Sequence, residues 1–213
     1  MTELIDNDIL LKGSCYGLLH DLMAANCQSM PVGYLAVAKF VVGKKLKKMK
    51  LRGELAQAVS VFNTFLSSHE AIEPTSEEAA LASELEATAQ AQALPLDTGE
   101  SQLLAILATR GATALFTGDK RAIMATERLL DCVPILAAVV GKMKCLEQLL
   151  KQMLEGNALD AIRGIICGEP DVDRALTIFF QCFSSCVQLE DTLAALDSYI
   201  NDLRRSSPKA LFT

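Results

Sequence analysis

Short apolar runs alternate with longer stretches of helical periodicity through the first 136 residues. Strand-like runs occur at 4–5, where the run ends at Asp6, and at 112–117 and 132–136. Between them, apolar residues recur every three or four positions, which predicts helices. The main helices are expected at roughly 44–65, 75–92, 98–110 and 121–131. Such alternation of strands and helices is typical of a parallel sheet in an α/β protein.

Only helices are predicted after residue 136. Their apolar periodicity places them at roughly 139–154, 159–167, 172–186 and 189–204. We therefore expect a helix-rich α/β fold, a three-layer sandwich with a small central parallel sheet, over residues 1–136. A C-terminal α-helical extension over 137–213 is expected to pack on it.

Composition supports a well-packed protein with an uneven charge distribution. The 213 residues are 51% hydrophobic and carry a net charge of −6, which counts against a large surface that tracks nucleic-acid phosphates. A cluster of basic residues nevertheless falls between 44 and 52. It comprises Lys44, Lys45, Lys47, Lys48, Lys50 and Arg52. The cluster is either a local phosphate-binding patch or a solvated helix face.

The seven cysteines and the apolar runs indicate in which compartment the protein is expected and whether a membrane partner is expected. The number of cysteines is odd, they form no CxxC motif and no signal peptide opens the chain, so we expect reduced thiols in the cytoplasm. Cys182 and Cys186 have the spacing of one helix face, but buried free cysteines are favoured over half a metal site. The longest apolar stretch, 133–140, is too short to cross a bilayer, so no membrane partner is expected.

Acidic residues follow the predicted strands or begin the predicted helices at three separate places. Asp6 and Asp8 follow the first strand, Glu100 opens a helix, and Asp119 follows a later strand. Carboxylates at the ends of parallel strands form sites for hard divalent cations, so these four residues are candidate ligands for Mg²⁺ or Mn²⁺. Each could instead serve only as a helix cap or as a first-turn acid.

The order of these acids resembles that of a PIN-like nuclease domain, over residues 3–136. Asp6 after the first strand, Gly99-Glu100 at a helix start and the sequence Thr-Gly-Asp-Lys-Arg at 117–121 carry the resemblance. The family has a further acid roughly forty residues after the first, and Glu54 fits that position. The basic helix, the long 66–95 region and the helices after 136 depart from the compact family members.

The resemblance implies a metal-dependent nuclease with RNA favoured over DNA as substrate. Its catalytic acids would be Asp6, Glu54, Glu100 and Asp119. It also implies a toxin or a defence component, with an antitoxin, another protein or a second copy as partner. Lys120 and Arg121 would contact substrate phosphates, unless they are only exposed charges at a helix start.

Two other functions remain open at this point. Asp6-Asn7-Asp8 resembles the D-x-D motif of HAD-like phosphatases, with Asp6 as nucleophile and Asp8 as acid or base. That alternative lacks a second acid soon after Asp119, and Leu10 stands where Thr or Val is usual. The chain could also be a non-catalytic module that binds nucleic acid or protein through the same fold.

Overall fold

A five-stranded sheet in which every strand is parallel forms the centre of the molecule. The computed structural model describes residues 2–27, 31–156 and 159–212. The strand order is β3-β2-β1-β4-β5. The strands are β1 (Leu4–Ile5), β2 (Gly33–Leu35), β3 (Glu70–Ile72), β4 (Leu115–Thr117) and β5 (Met143–Cys145). β1 therefore lies in the middle, between β2 and β4.

Helices cover the sheet and form most of the structure. They are α1 (Asn7–Tyr16), α2 (Leu19–Asn26), α3 (Ala38–Leu46), α4 (Leu55–Ser68), α5 (Ser76–Ala91), α6 (Thr98–Thr109), α7 (Lys120–Leu129), α8 (Leu146–Gly156), α9 (Leu159–Gly168), α10 (Arg174–Phe179) and α11 (Leu189–Ser206). α1 packs on α2, α3 and α4, whereas α5 packs on α6 and α7. The predicted α/β sandwich with a small parallel sheet and additional C-terminal helices is confirmed.

The sheet continues beyond the boundary predicted at residue 136. The strand expected at 132–136 is wrong: Pro134–Val139 forms a 3-10 helix, because the proline begins a helical turn. The last strand is β5, which pairs with β4. The end of the chain also returns to this edge, where the Phe212 amide donates a hydrogen bond to the Met143 carbonyl at 2.7 Å. The C-terminal part is thus joined to the sheet.

The predicted helix over 44–65 is two helices. α3 ends at Leu46 and α4 begins at Leu55, so residues 47–54 form a connection between them. β2, which precedes α3, was not predicted either, because a three-residue strand has no measurable periodicity. The basic cluster therefore extends from the last turn of α3 into a loop and does not follow one helix face.

Two of the cysteines are joined, contrary to the expectation of reduced thiols. Cys167 at the end of α9 forms a disulfide with Cys182, which follows α10. α10 ends at Phe179, before Cys182 and Cys186, so these two cysteines do not share a helix face as expected. The free cysteines among the described residues are Cys15, Cys27, Cys132, Cys145 and Cys186. Within those residues, no helix has both the length and the apolar character of a membrane span.

An ion pair between the buried Glu78 and the exposed Arg110 anchors α6, the helix that begins at the candidate site. Arg110 at the end of α6 donates hydrogen bonds of 2.7 and 2.6 Å to the two carboxylate oxygens of Glu78 in α5. These bonds, chiefly those from Arg110, lower the pKa of the buried Glu78 to about 2. Two parallel hydrogen bonds between a guanidinium group and a carboxylate fix the relative position of the two helices that carry them. The N-terminus of α6 is therefore held in place from its opposite end.

Candidate active site

Five carboxylates line one cavity of about 670 Å³ at the carboxyl edge of the sheet. They are Asp6, Asp8, Asp97, Glu100 and Asp119. The structure thus brings together the acids that the sequence places after β1, at the start of α6 and after β4. Asp97 was not among the predicted ligands, and its position as the cap of α6 is the signal that could have identified it. Parallel strands make this convergence possible because their carboxyl ends share one edge.

Asp6 is the innermost of these acids. Its backbone amide continues the central ladder by donating to the Phe116 carbonyl, and its side chain caps α1 by accepting from the Asn7 amide at 2.6 Å. The Thr117 hydroxyl donates to its second oxygen at 3.1 Å. Burial, reinforced by the charges of Asp8 and Asp97, raises the pKa of Asp6 to about 6.

Glu100 opens α6 in a capping box with Asp97. The Asp97 amide donates to the Glu100 carboxylate at 2.8 Å, and the Glu100 amide donates to the Asp97 carboxylate at the same distance. Burial, together with the charges of Asp97, Asp6 and Asp119, raises the pKa of Glu100 to about 8. Without a cation, this carboxyl group is therefore mostly protonated at neutral pH.

Asp119 has a different electrostatic environment because Arg121 neutralises it. It caps α7, accepting from the Arg121 amide at 2.8 Å and from the guanidinium at 3.1 and 2.7 Å. Burial opposes ionisation, but these bonds outweigh it and hold the pKa of Asp119 below its usual value. Arg121 lines the same cavity. The Arg121 guanidinium group therefore contacts both Asp119 carboxylate oxygens, to which a cation would have to bind.

Asp8 connects the cavity with the C-terminal helices. Its carboxylate lies 2.7 Å from the ammonium group of Lys12, which lies 2.8 Å from the carboxylate of Asp173. Asp173 in turn caps α10. Desolvation opposes the charge on Lys12, but the two carboxylates outweigh it and raise the pKa of this ammonium group. The extension therefore helps to fix the position of one wall of the site.

The donor chemistry fits Mg²⁺ or Mn²⁺, which prefer carboxylate oxygens. In the part of the chain that the structure describes, however, no three His, Cys, Asp or Glu side chains lie in an arrangement that could hold an ion. Glu100 is engaged in its capping box and Asp119 with Arg121. A cation would have to displace the Arg121 guanidinium and the bound protons.

Glu54 does not belong to this group of acids. It is exposed at the start of α4 and lines a separate cavity of about 390 Å³ with Arg52 and Glu169. The connection over 47–54 carries it away, so its predicted place in the cluster is wrong. α3 contributes Val37, Val41 and Lys45 to the wall of the acidic cavity instead.

The predicted phosphate-binding residues lie in three places. Lys45 and Arg121 line the acidic cavity. Lys44 is exposed in the last turn of α3, and Lys47 and Lys48 are exposed just beyond it. Lys120 instead lies over the Tyr199 ring, 5.3 Å from its centroid, and lines a different cavity.

Comparison with protein-family models, curated proteins and solved structures gave no match to this chain. The resemblance to a PIN-like domain therefore stays a prediction.

The pKa values of the cavity predict how stability depends on pH. Asp6 and Glu100 both have folded-state pKa values above their unfolded values, so these two groups bind more protons in the folded state than in the unfolded state between about pH 4 and pH 8. The metal-free protein should therefore lose stability as pH rises through this window, by roughly 5 °C or more in melting temperature between pH 5 and pH 8. Thermal melts at constant ionic strength measure the loss.

Glu100→Gln is the control for this melt series. It should flatten the slope, which separates the cavity from the buried Glu147, whose pKa is also raised by burial. Mn²⁺ should stabilise the wild type more at pH 8 than at pH 5, because metal and protons compete for the same oxygens. An unchanged slope in Glu100→Gln would contradict the assignment.

Proposed function

We propose that this chain is a divalent-metal-dependent nuclease that hydrolyses phosphodiester bonds. The observation that carries the proposal is the convergence of five carboxylates on one cavity at the carboxyl edge of the sheet. Two of them, Asp6 and Glu100, have pKa values raised by burial and by their neighbours. Neighbouring carboxylates repel one another when they are ionised, and a bound cation would offset this repulsion.

Six charged residues of the cavity have a role in this proposal. Asp6, Asp8, Glu100 and Asp119 would hold Mg²⁺ or Mn²⁺, which would activate a water molecule and neutralise charge on the phosphate. The Thr117 hydroxyl orients the Asp6 carboxylate. Positive charge at the cavity wall, from Lys45 and Arg121, would attract the substrate phosphate.

RNA is the favoured substrate because of the resemblance to PIN-like domains. A role as a toxin or a defence component, with an antitoxin or a second copy as partner, rests on the same resemblance and stays a prediction. The phosphatase alternative is less well supported by the contacts of Asp8. The Asp8 carboxylate is held 2.7 Å from the Lys12 ammonium group, whereas that mechanism needs this carboxylate free to face the substrate.

One assay distinguishes the candidate functions. Labelled RNA and DNA oligonucleotides of one sequence, and separately p-nitrophenyl phosphate, are incubated with the full chain in Mn²⁺ and in EDTA. We expect Mn²⁺-dependent cleavage of the oligonucleotide, faster for RNA, and no hydrolysis of the monoester. Hydrolysis of the monoester alone would identify a phosphatase, and no hydrolysis of either substrate would identify a binding module.

A further inference from the structure

The outward face of α3 places an exposed aromatic ring beside the acidic cavity. We call this face the α3 platform; it consists of Val37, Phe40, Val41, Lys44 and Lys45. The spacing of three and four residues puts these side chains on one side of the helix. Phe40 is 72% exposed and Val37 is 46% exposed. Val37, Val41 and Lys45 line the cavity, so the platform is continuous with it.

The chemistry of the platform matches a nucleic-acid strand, which presents flat bases and regularly spaced phosphates. A phenyl ring offers a stacking surface that accepts any base, and neighbouring lysines neutralise phosphates. Lys39, Lys47 and Lys48 add exposed positive charge at both ends of α3. Such a concentration of cations on a chain with a net charge of −6 points to a polyanion more than to an apolar protein surface.

We propose that Phe40 stacks on a base of the bound strand while Lys44 and Lys45 contact the flanking phosphates, so that α3 guides the strand to the cavity. A base that stacks on a protein ring has left its own duplex stack, so the segment bound here is single-stranded. This proposal rests on the proposed nuclease function, which makes the cavity the place where the strand is cleaved. Phe40 is a positioning residue in it.

The absence of tryptophan from the chain makes a direct test possible. Phe40→Trp introduces a single reporter, whose fluorescence is quenched when a base stacks on it. The variant is made in an Asp6→Asn background, which removes a carboxylate from the cavity, and is titrated with single-stranded oligonucleotide in Mn²⁺. We expect quenching and an affinity close to that of the Asp6→Asn parent.

Truncating the ring should weaken binding, because stacking contributes about 1–3 kcal/mol per base, or about 5- to 150-fold in Kd. Phe40→Ala should show this loss in the same background. Phe40→Leu keeps apolar bulk without a ring and should lose nearly as much, which separates stacking from simple apolar burial. Phe183 is the matched control: it is 91% exposed and does not line the cavity, so Phe183→Ala should bind normally and Phe183→Trp should not be quenched.

Several results would overturn the proposal. The first is that the Asp6→Asn parent does not bind the oligonucleotide. The second is that the fluorescence of Phe40→Trp is not quenched, and the third is that Phe40→Ala binds the oligonucleotide as tightly as the parent. A shift from dimer to monomer in Phe40→Ala with unchanged oligonucleotide affinity would show instead that α3 contacts a second copy.

The platform and the nuclease proposal can fail separately. Wild-type cleavage with an unaffected Phe40→Ala variant would overturn the platform alone. Quenching and weakened binding without any wild-type cleavage would support the platform and overturn the nuclease.

Discussion

Asp6→Asn should reduce Mn²⁺-dependent cleavage by about a thousandfold, because a metal-binding carboxylate contributes several kcal/mol and each 1.36 kcal/mol is tenfold in rate. The fold should be retained. Asparagine caps helices as well as aspartate does, so the hydrogen bond from the Asn7 amide persists. Because burial raises the pKa of Asp6 to about 6, the substitution also removes a buried charge at pH 8. The melting temperature of the variant without metal should equal or exceed that of the wild type.

Single-turnover cleavage rates and thermal melts at pH 8 test this prediction together. Asp21→Asn is the control, because it neutralises an exposed acid in the first turn of α2, outside the cavity. It should leave the cleavage rate unchanged. Cleavage by Asp6→Asn at the wild-type rate would remove Asp6 from the site, and a lower melting temperature would show that its charge stabilises the fold.

The convergence of the acids could be predicted because it depends on local patterns. A short apolar run followed by Asp6, and another followed by Asp119, place two carboxylates at strand ends. Glu100 stands three residues after Asp97, the spacing of a capping box. Once the sheet is parallel, all of these positions fall at one edge. They meet in one cavity because β1 and β4 are neighbouring strands.

The wall opposite these acids could not be predicted in the same way. The apolar spacing of Leu46, Leu55, Val59 and Phe62 continues across a loop, so it suggested one helix where there are two. Glu54 was assigned to the site from the spacing of acids in PIN-like domains, and the break between the two helices hid the fact that Lys45 lines the cavity instead. Periodicity does not reveal a break when residues on both sides of a loop pack into the same core.

The contacts that join the extension to the sheet depend on pairing across long sequence separations. Met143 in β5 forms a parallel bridge with Leu211, far along the chain. The disulfide between Cys167 and Cys182 lies within the extension itself and could not be predicted either. Cysteine connectivity cannot be deduced from spacing alone. Lys12 likewise joins Asp8 to Asp173, an interaction that only the folded structure shows.

Gly118→Ala should destabilise the protein by about 1–3 kcal/mol, the usual cost of overpacking. A Cβ atom on Gly118 would lie 2.0 Å from the Asp8 carboxylate, so that carboxylate would have to move. Asp8 would then leave its contact with Lys12 and its place in the cavity. Cleavage and Mn²⁺ affinity should both fall. Urea unfolding measures the free energy of unfolding, and calorimetric titration measures the metal affinity.

A double-mutant cycle identifies the clash as the cause. In an Asp8→Ala background the space is free, so the destabilisation caused by Gly118→Ala should largely disappear. Gly164→Ala is the matched control, because nothing lies within 4 Å of a Cβ atom placed there. Gly164 lies within α9, where alanine should raise stability by about 0.5–1 kcal/mol. If the losses of unfolding free energy caused by Gly118→Ala and Asp8→Ala are additive, the lack of a side chain at Gly118 does not serve to accommodate the Asp8 carboxylate. In that case the close approach of the β4–α7 turn to α1 does not hold Asp8 in the site.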